Sequence, residues 1–211
     1  MGKLKLEQWE IDKLVVSSRV SVKPSGAGYN DVAFQIRNSG HLVWQYQLWK
    51  NMLQRCFDAE YKARQPTYED VTCCDEWISF GNFFEWLNKE VGYSGKPVGM
   101  SLDKDLLIRG NLVYRPEACS FVPRAVNSVL LSNDSKRGEW PVGVYLHTQN
   151  NRFIARLNHG GKLKHIGCYA TAEEAFAAYK SAKEDQIRVV ALQHKELLKP
   201  AVFESLMNWS V

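Results

Sequence analysis

A chain of 211 residues is long enough for one large domain or two small ones. Hydrophobic residues make up 45% and charged residues 24%, a balance that supports packed cores and excludes disorder over most of the chain. The excess of 27 Lys and Arg over 23 Asp and Glu gives a formal net charge of +4, too small by itself to name a partner.

No apolar run approaches the roughly 18 residues that a membrane span needs, so no membrane is expected as a partner. The opening residues, MGKLKLEQWEIDK, lack the apolar stretch and cleavage site of a secretory signal, and a cytoplasmic protein is the expectation. The five cysteines are Cys56, Cys73, Cys74, Cys119 and Cys168. Their odd number argues against a disulfide framework, and adjacent Cys73 and Cys74 are not a zinc knuckle. Free thiols are expected, not structural zinc.

Residues 1–40 read as an N-terminal arm or cap, with Ser25-Gly26-Ala27-Gly28 as a turning segment. From Leu42 to Phe57 the apolar residues Trp44, Leu48, Met52, Leu53 and Cys56 recur at helical spacing, which predicts an amphipathic helix. Asp58 to Val71, with Pro66, reads as loop. A second helix is expected from Asp75 to Glu90, with Trp77, Phe80, Phe83, Phe84 and Leu87 as a core-facing aromatic stripe. After a break at Gly92–Pro97 come a strand at Met100–Leu102, a loop through Gly110-Asn111, and a strand at Cys119–Val122. A helix follows from Ala125 to Leu131, started by Pro123.

Polar Ser132–Pro141 reads as the domain boundary, giving domains at 41–131 and 141–211. Beyond it, Val142–Leu146, Arg152–Leu157 and Lys164–Tyr169 read as three short strands, with turns at Asn150-Asn151 and Gly160-Gly161. Thr171 and Glu174 form a capping box that opens a long helix buried through Ala175, Phe176, Tyr179, Ala182 and Ile187. Pro200 starts a last short helix carrying Val202, Leu206 and Met207. The fold class is α+β. Between Pro141 and Thr171 stand Arg152, Arg156, Lys162 and Lys164 with no Asp or Glu, a segment suited to tracking phosphates. On the middle strand Arg152, Ile154 and Arg156 share one face, and Phe153, Ala155 and Leu157 the core face.

Asp103, Lys104 and Asp105 end the first of the paired strands, and Asn127 lies on the helix after the second. Oxygen ligands on a strand end and an adjoining helix suit one hard divalent cation. Around them run Trp49, Met52-Leu53, Arg55-Cys56, Pro66-Thr67-Tyr68, Cys74-Asp75-Glu76-Trp77, Phe80, Phe83, Leu102-Asp103-Lys104-Asp105, Gly110-Asn111, Tyr114, Pro116-Glu117, Cys119, Phe121-Val122-Pro123 and Asn127. With these residues the stretch from Trp49 to Asn127 resembles the phage-encoded HNH endonuclease family. Further on stand Gly143-Val144, Arg152-Phe153-Ile154-Ala155, Gly161-Lys162, Ile166-Gly167, Tyr169, Thr171, Glu173-Glu174-Ala175 and Ala178-Tyr179. Through these, Pro141 to about Lys183 is similar to an AP2-type DNA-binding domain.

The first resemblance implies a ββα-metal fold and a homing-type endonuclease or nickase that uses Mg²⁺ or Mn²⁺. Asp103 and Asn127 match the metal ligands. Lys104 stands where the family has its general-base His, and Ala118 near its middle Asn. An ammonium is a poor base but steadies phosphate charge, which leaves Asp105 or His41 as alternative bases. The second resemblance implies a three-stranded sheet with one helix, laid in the major groove of double-stranded DNA. Tyr145, His147, Arg152, Arg156, Lys162 and Lys164 are its candidate contacts. The alternative reading is a catalytically inactive DNA-binding protein on the same scaffold.

Overall fold

The computed structural model describes residues 24–91, 98–130 and 139–211. Helices and short strands mix, and the largest sheet among the described residues is three-stranded and antiparallel. No described helix is long and apolar enough to cross a membrane. The described residues form two compact units that divide between Phe121 and Val122.

The first unit is built around helix α1, Trp44–Phe57. Its buried residues, Tyr46, Trp49, Met52, Leu53 and Cys56, fall three or four apart and form one apolar stripe. A short helix α2, Ala59–Arg64, and a 3₁₀ turn at Pro66–Tyr68 occupy the stretch expected to be loop. Asp58 starts α2 by accepting the Tyr61 backbone N–H at 2.8 Å. None of these residues is buried, so no apolar period marks the helix in the sequence.

The helix expected over 75–90 is two pieces, a 3₁₀ turn at Asp75–Ile78 and helix α3, Phe80–Val91. Ser79 between them is extended and buried. Its Oγ donates to Asp31 Oδ2 at 2.6 Å, and the Gly81 N–H donates to Asp31 Oδ1 at 2.7 Å. A carboxylate 48 residues upstream therefore caps α3. Residues 24–40 are accordingly part of the first unit, where Val32, Phe34 and Ile36 pack on its core; residues 1–23 lie outside the described chain. The aromatic stripe is core as expected: Phe80, Phe83 and Trp77 are fully buried, and Trp49 Nε1 donates to the Trp77 carbonyl at 2.7 Å.

Strands β1 (Arg37–Asn38) and β2 (His41–Leu42) form a small antiparallel pair. Strand β3 (Thr72–Cys73) pairs in parallel with β5 (Val113–Tyr114), and neither is visible in the sequence pattern. Strand β4 (Met100–Asp103) pairs with β6 (Ser120–Pro123), the two strands expected there. The break at 92–97 lies outside the described residues.

In the second unit β7 (Val144–His147), β8 (Arg152–His159) and β9 (Lys162–Tyr169) form the antiparallel sheet. Helix α5 (Ala172–Gln193) covers it and opens with the Thr171–Glu174 capping box. Val144, Ala155, Leu157, Ala172, Ala175 and Tyr179 make the core between them. Gly143 has φ +77°, and a Cβ there would meet Tyr179 Cδ2 at 2.1 Å, so only glycine fits. Helix α4 (Arg124–Leu130) and helix α6 (Pro200–Met207) both pack on α5. The packing of α4 moves the division between units into β6, ahead of the polar stretch 132–141 that the sequence marks. Most of that stretch, and Leu131, lie outside the described residues.

Candidate functional site

Asp103 ends β4 and turns the chain. Its Oδ1 accepts the backbone N–H groups of Asp105 at 3.0 Å and Leu106 at 2.8 Å. That is the local bond an Asp makes two and three residues on, and it explains why an acidic side chain closes this strand. The side chain is nevertheless buried, 7% exposed. Burial first, and the charge of Asp105 second, push its carboxyl up to about 6; the two N–H bonds pull the other way.

Lys104 points elsewhere. Its Nζ donates to the Asn111 carbonyl at 2.8 Å and to Asp105 Oδ2 at 3.1 Å, with 11% of the side chain exposed. Asn111 answers by donating Nδ2 to the Lys104 carbonyl at 2.6 Å and to the Val113 carbonyl at 2.8 Å. The two residues clamp the loop 104–111 shut and lead it into β5. Both Lys104 contacts use N–H donors, whereas a general base needs a free lone pair. Lys104 thus holds the turn that presents Asp103 and Asp105. Asn111 is the clamp of this loop, and Gly110 beside it, at φ +75°, makes the turn that lets it reach back.

Asn127 stands on α4, in the second unit. Ala118 is buried in the turn before β6, where its N–H donates to the Arg115 carbonyl at 3.2 Å. Its side chain has no donor atom to offer a metal. His41 is exposed on β2. The donor chemistry of Asp103 and Asp105 suits a hard divalent cation, because such an ion relieves both the burial and the like-charge contact. Among the described residues no three His, Cys, Asp or Glu side chains group as a fuller metal site. All five thiols are free. Burial pushes Cys119 up to about 12, which leaves it inert.

The register of the sheet sorts the second set of candidates. His147 lies opposite Arg152, Tyr145 opposite Ile154, and Ile154 opposite Cys168. These residues, with Arg156, share the face turned away from the core. Arg156 lies 5.6 Å over the Tyr145 ring, and Arg152 Nη2 donates to the Cys168 carbonyl at 3.4 Å. Lys164 lies opposite Leu157, a core residue, and Lys162 opposite His159. Both lysines are therefore on the helix-side face and do not join the arginines. The cause is a register slip between Ala155 and Arg156, opposite Ile166. Counting by twos back from Cys168 would put Lys164 and Lys162 on the outer face, and one extra residue reverses that parity. The same slip brings His165 to the outer face opposite Arg156, where its Nε2 lies 3.8 Å from Cys168 Sγ. The outer face carries two guanidinium groups, two imidazoles and a phenol, with no acidic residue between Pro141 and Thr171. Such a surface can donate to phosphates and base edges.

No protein-family model, curated protein or solved structure matches the chain.

Proposed function

We propose that the protein is a metal-dependent DNA endonuclease or nickase of the phage homing type. In this reading an HNH-like ββα-metal unit cuts, and an AP2-like sheet binds double-stranded DNA. The observation that carries it is Asp103, a buried carboxyl held at a strand end against a second carboxyl and pushed up to about 6. Such a group sits at a cost to the fold, and costs of this kind concentrate at functional sites.

Asp103 would hold Mg²⁺ or Mn²⁺. When bound, the cation supplies charge stabilisation at the phosphate and the leaving oxygen. The chain does the rest. The Lys104–Asn111 clamp fixes the turn, so Asp103 and Asp105 are presented in one orientation. Asp105, whose side chain is 51% exposed, takes the proton of the attacking water in place of the family's histidine. Arg152, Arg156, Tyr145 and His147 grip the duplex.

Supercoiled plasmid and phage DNA, incubated with Mg²⁺, Mn²⁺ or EDTA, test this. Wild type relaxes or linearises DNA only with metal. Asp103→Asn keeps the Oδ1 acceptor and removes the charge, and it abolishes cutting. Asp105→Asn slows it by about 100-fold. An Asp103→Asn protein that cuts like wild type refutes the assignment.

A second reading is a DNA-binding protein that does not cut. The engagement of Lys104 at the general-base position favours it. It predicts duplex binding that weakens steeply with salt and no cleavage in any metal.

A further inference from the structure

Arg55 lies in the last turn of α1 and has no part in the chemistry above. Its Nη1 donates to the Tyr114 hydroxyl at 3.1 Å, and its guanidinium lies 5.5 Å from the centre of the Tyr68 ring. Tyr61 and Tyr68 are themselves in ring contact, with centroids 5.8 Å apart. Tyr114 is buried, and Arg55, Tyr61 and Tyr68 are half-buried. Among the described residues no carboxylate pairs with Arg55.

That absence is unusual for a largely buried cation. A guanidinium taken out of water normally gains a counter-charge, because its desolvation is costly. Phenolic oxygens accept hydrogen bonds but leave the full positive charge in place. The fork has five N–H donors, and among the described residues one hydrogen bond, from Nη1 to Tyr114, engages them. A planar fork with no counter-charge, beside the half-buried phenols of Tyr61 and Tyr68, matches an oxyanion with several acceptor oxygens.

We propose that Arg55, held from behind by Tyr114, binds a phosphate oxyanion together with Tyr61 and Tyr68, from either a nucleic-acid backbone or a small phosphorylated molecule. The site stands independently of the nuclease reading, and its readout is binding, so a protein that cuts nothing still tests it.

The full chain, labelled with ¹⁵N-arginine, reports through the Arg55 Nε–H resonance, assigned by its loss in Arg55→Lys. Inorganic phosphate is titrated at constant ionic strength held with sodium chloride. The expected result is a saturable shift of that resonance, competed by sulfate. Tyr61→Phe with Tyr68→Phe, both half-buried and isosteric in the ring, weakens binding by about tenfold while far-ultraviolet dichroism is unchanged. A nucleoside monophosphate and a short duplex form parallel arms. Whichever saturates the same resonance at the lower concentration identifies the source. A resonance that ignores phosphate beyond the chloride control, or shifts equally in the double phenylalanine variant, overturns the proposal and leaves Arg55 as a cross-link between α1, α2 and β5.

Discussion

Asp103 carries opposing demands on one side chain. Its Oδ1 holds the turn after β4, while its burial and the nearness of Asp105 act against its charge. The folded carboxyl titrates near 6, above the usual unfolded value of about 3.9. The native state therefore holds an extra proton between those values, and stability is lost as pH rises through them. The loss amounts to about 3 kcal/mol. In EDTA, Asp103→Asn should melt at a higher temperature than wild type at neutral pH, and the gap should close below about pH 4. Asp103→Ala, which loses the turn acceptors as well, should melt lower than Asp103→Asn. Added Mg²⁺ should raise the wild-type midpoint more at pH 7.5 than at pH 5, and leave Asp103→Asn unmoved. Parallel melting curves for wild type and Asp103→Asn at every pH would contradict this electrostatic account. The position of Asp103 was legible from its place before a loop. The partner of Lys104 was not, because Asn111 reaches it by folding the loop back through seven residues.

At the scale of the element, α3 is capped by Ser79, whose Oγ accepts the Asn82 N–H at 3.1 Å, and by Asp31 from outside its own segment. Asp31→Ala removes the acceptor for Ser79 Oγ and the Gly81 N–H and should cost about 1–2 kcal/mol in urea unfolding. A loss near zero would show that solvent replaces the carboxylate. Gly143→Ala should cost more, because it imposes a left-handed backbone on alanine and drives a methyl into Tyr179. Long elements were readable: α1 by its buried stripe and α5 by its capping box and apolar face. The short ones were not. Strands β3 and β5 are two residues each and pair across about forty residues of chain, so neither alternation nor a turn announces them. Helix α2 buries nothing and so leaves no period.

At the scale of the whole molecule, the proposed DNA contact depends on how the basic side chains divide between the two faces of the sheet. Basic charge between Pro141 and Thr171 was plain in the sequence, but its division between faces hangs on one extra residue in β9. The outer face with Arg152 and Arg156 is the proposed contact, and Lys162 and Lys164 sit opposite it. Replacing both arginines by glutamine should weaken duplex binding at least tenfold and flatten the salt dependence by about two in the log–log slope. Replacing both lysines should change that slope by well under one. Equal losses in a fluorescence-anisotropy titration would place the lysines at the interface and contradict the register argument. The first unit was legible at Asp103, and the sheet at its strands, yet the union of cutting and binding in one protein is a matter for activity. The most direct measurement is the initial rate of supercoiled-plasmid loss against Mg²⁺ concentration for wild type and Asp103→Asn on the same DNA. The account predicts a saturable, EDTA-sensitive rate for wild type and none for Asp103→Asn, with both proteins still binding duplex. Wild type that binds duplex but cuts at no metal concentration, or a variant that cuts at the wild-type rate, would contradict it.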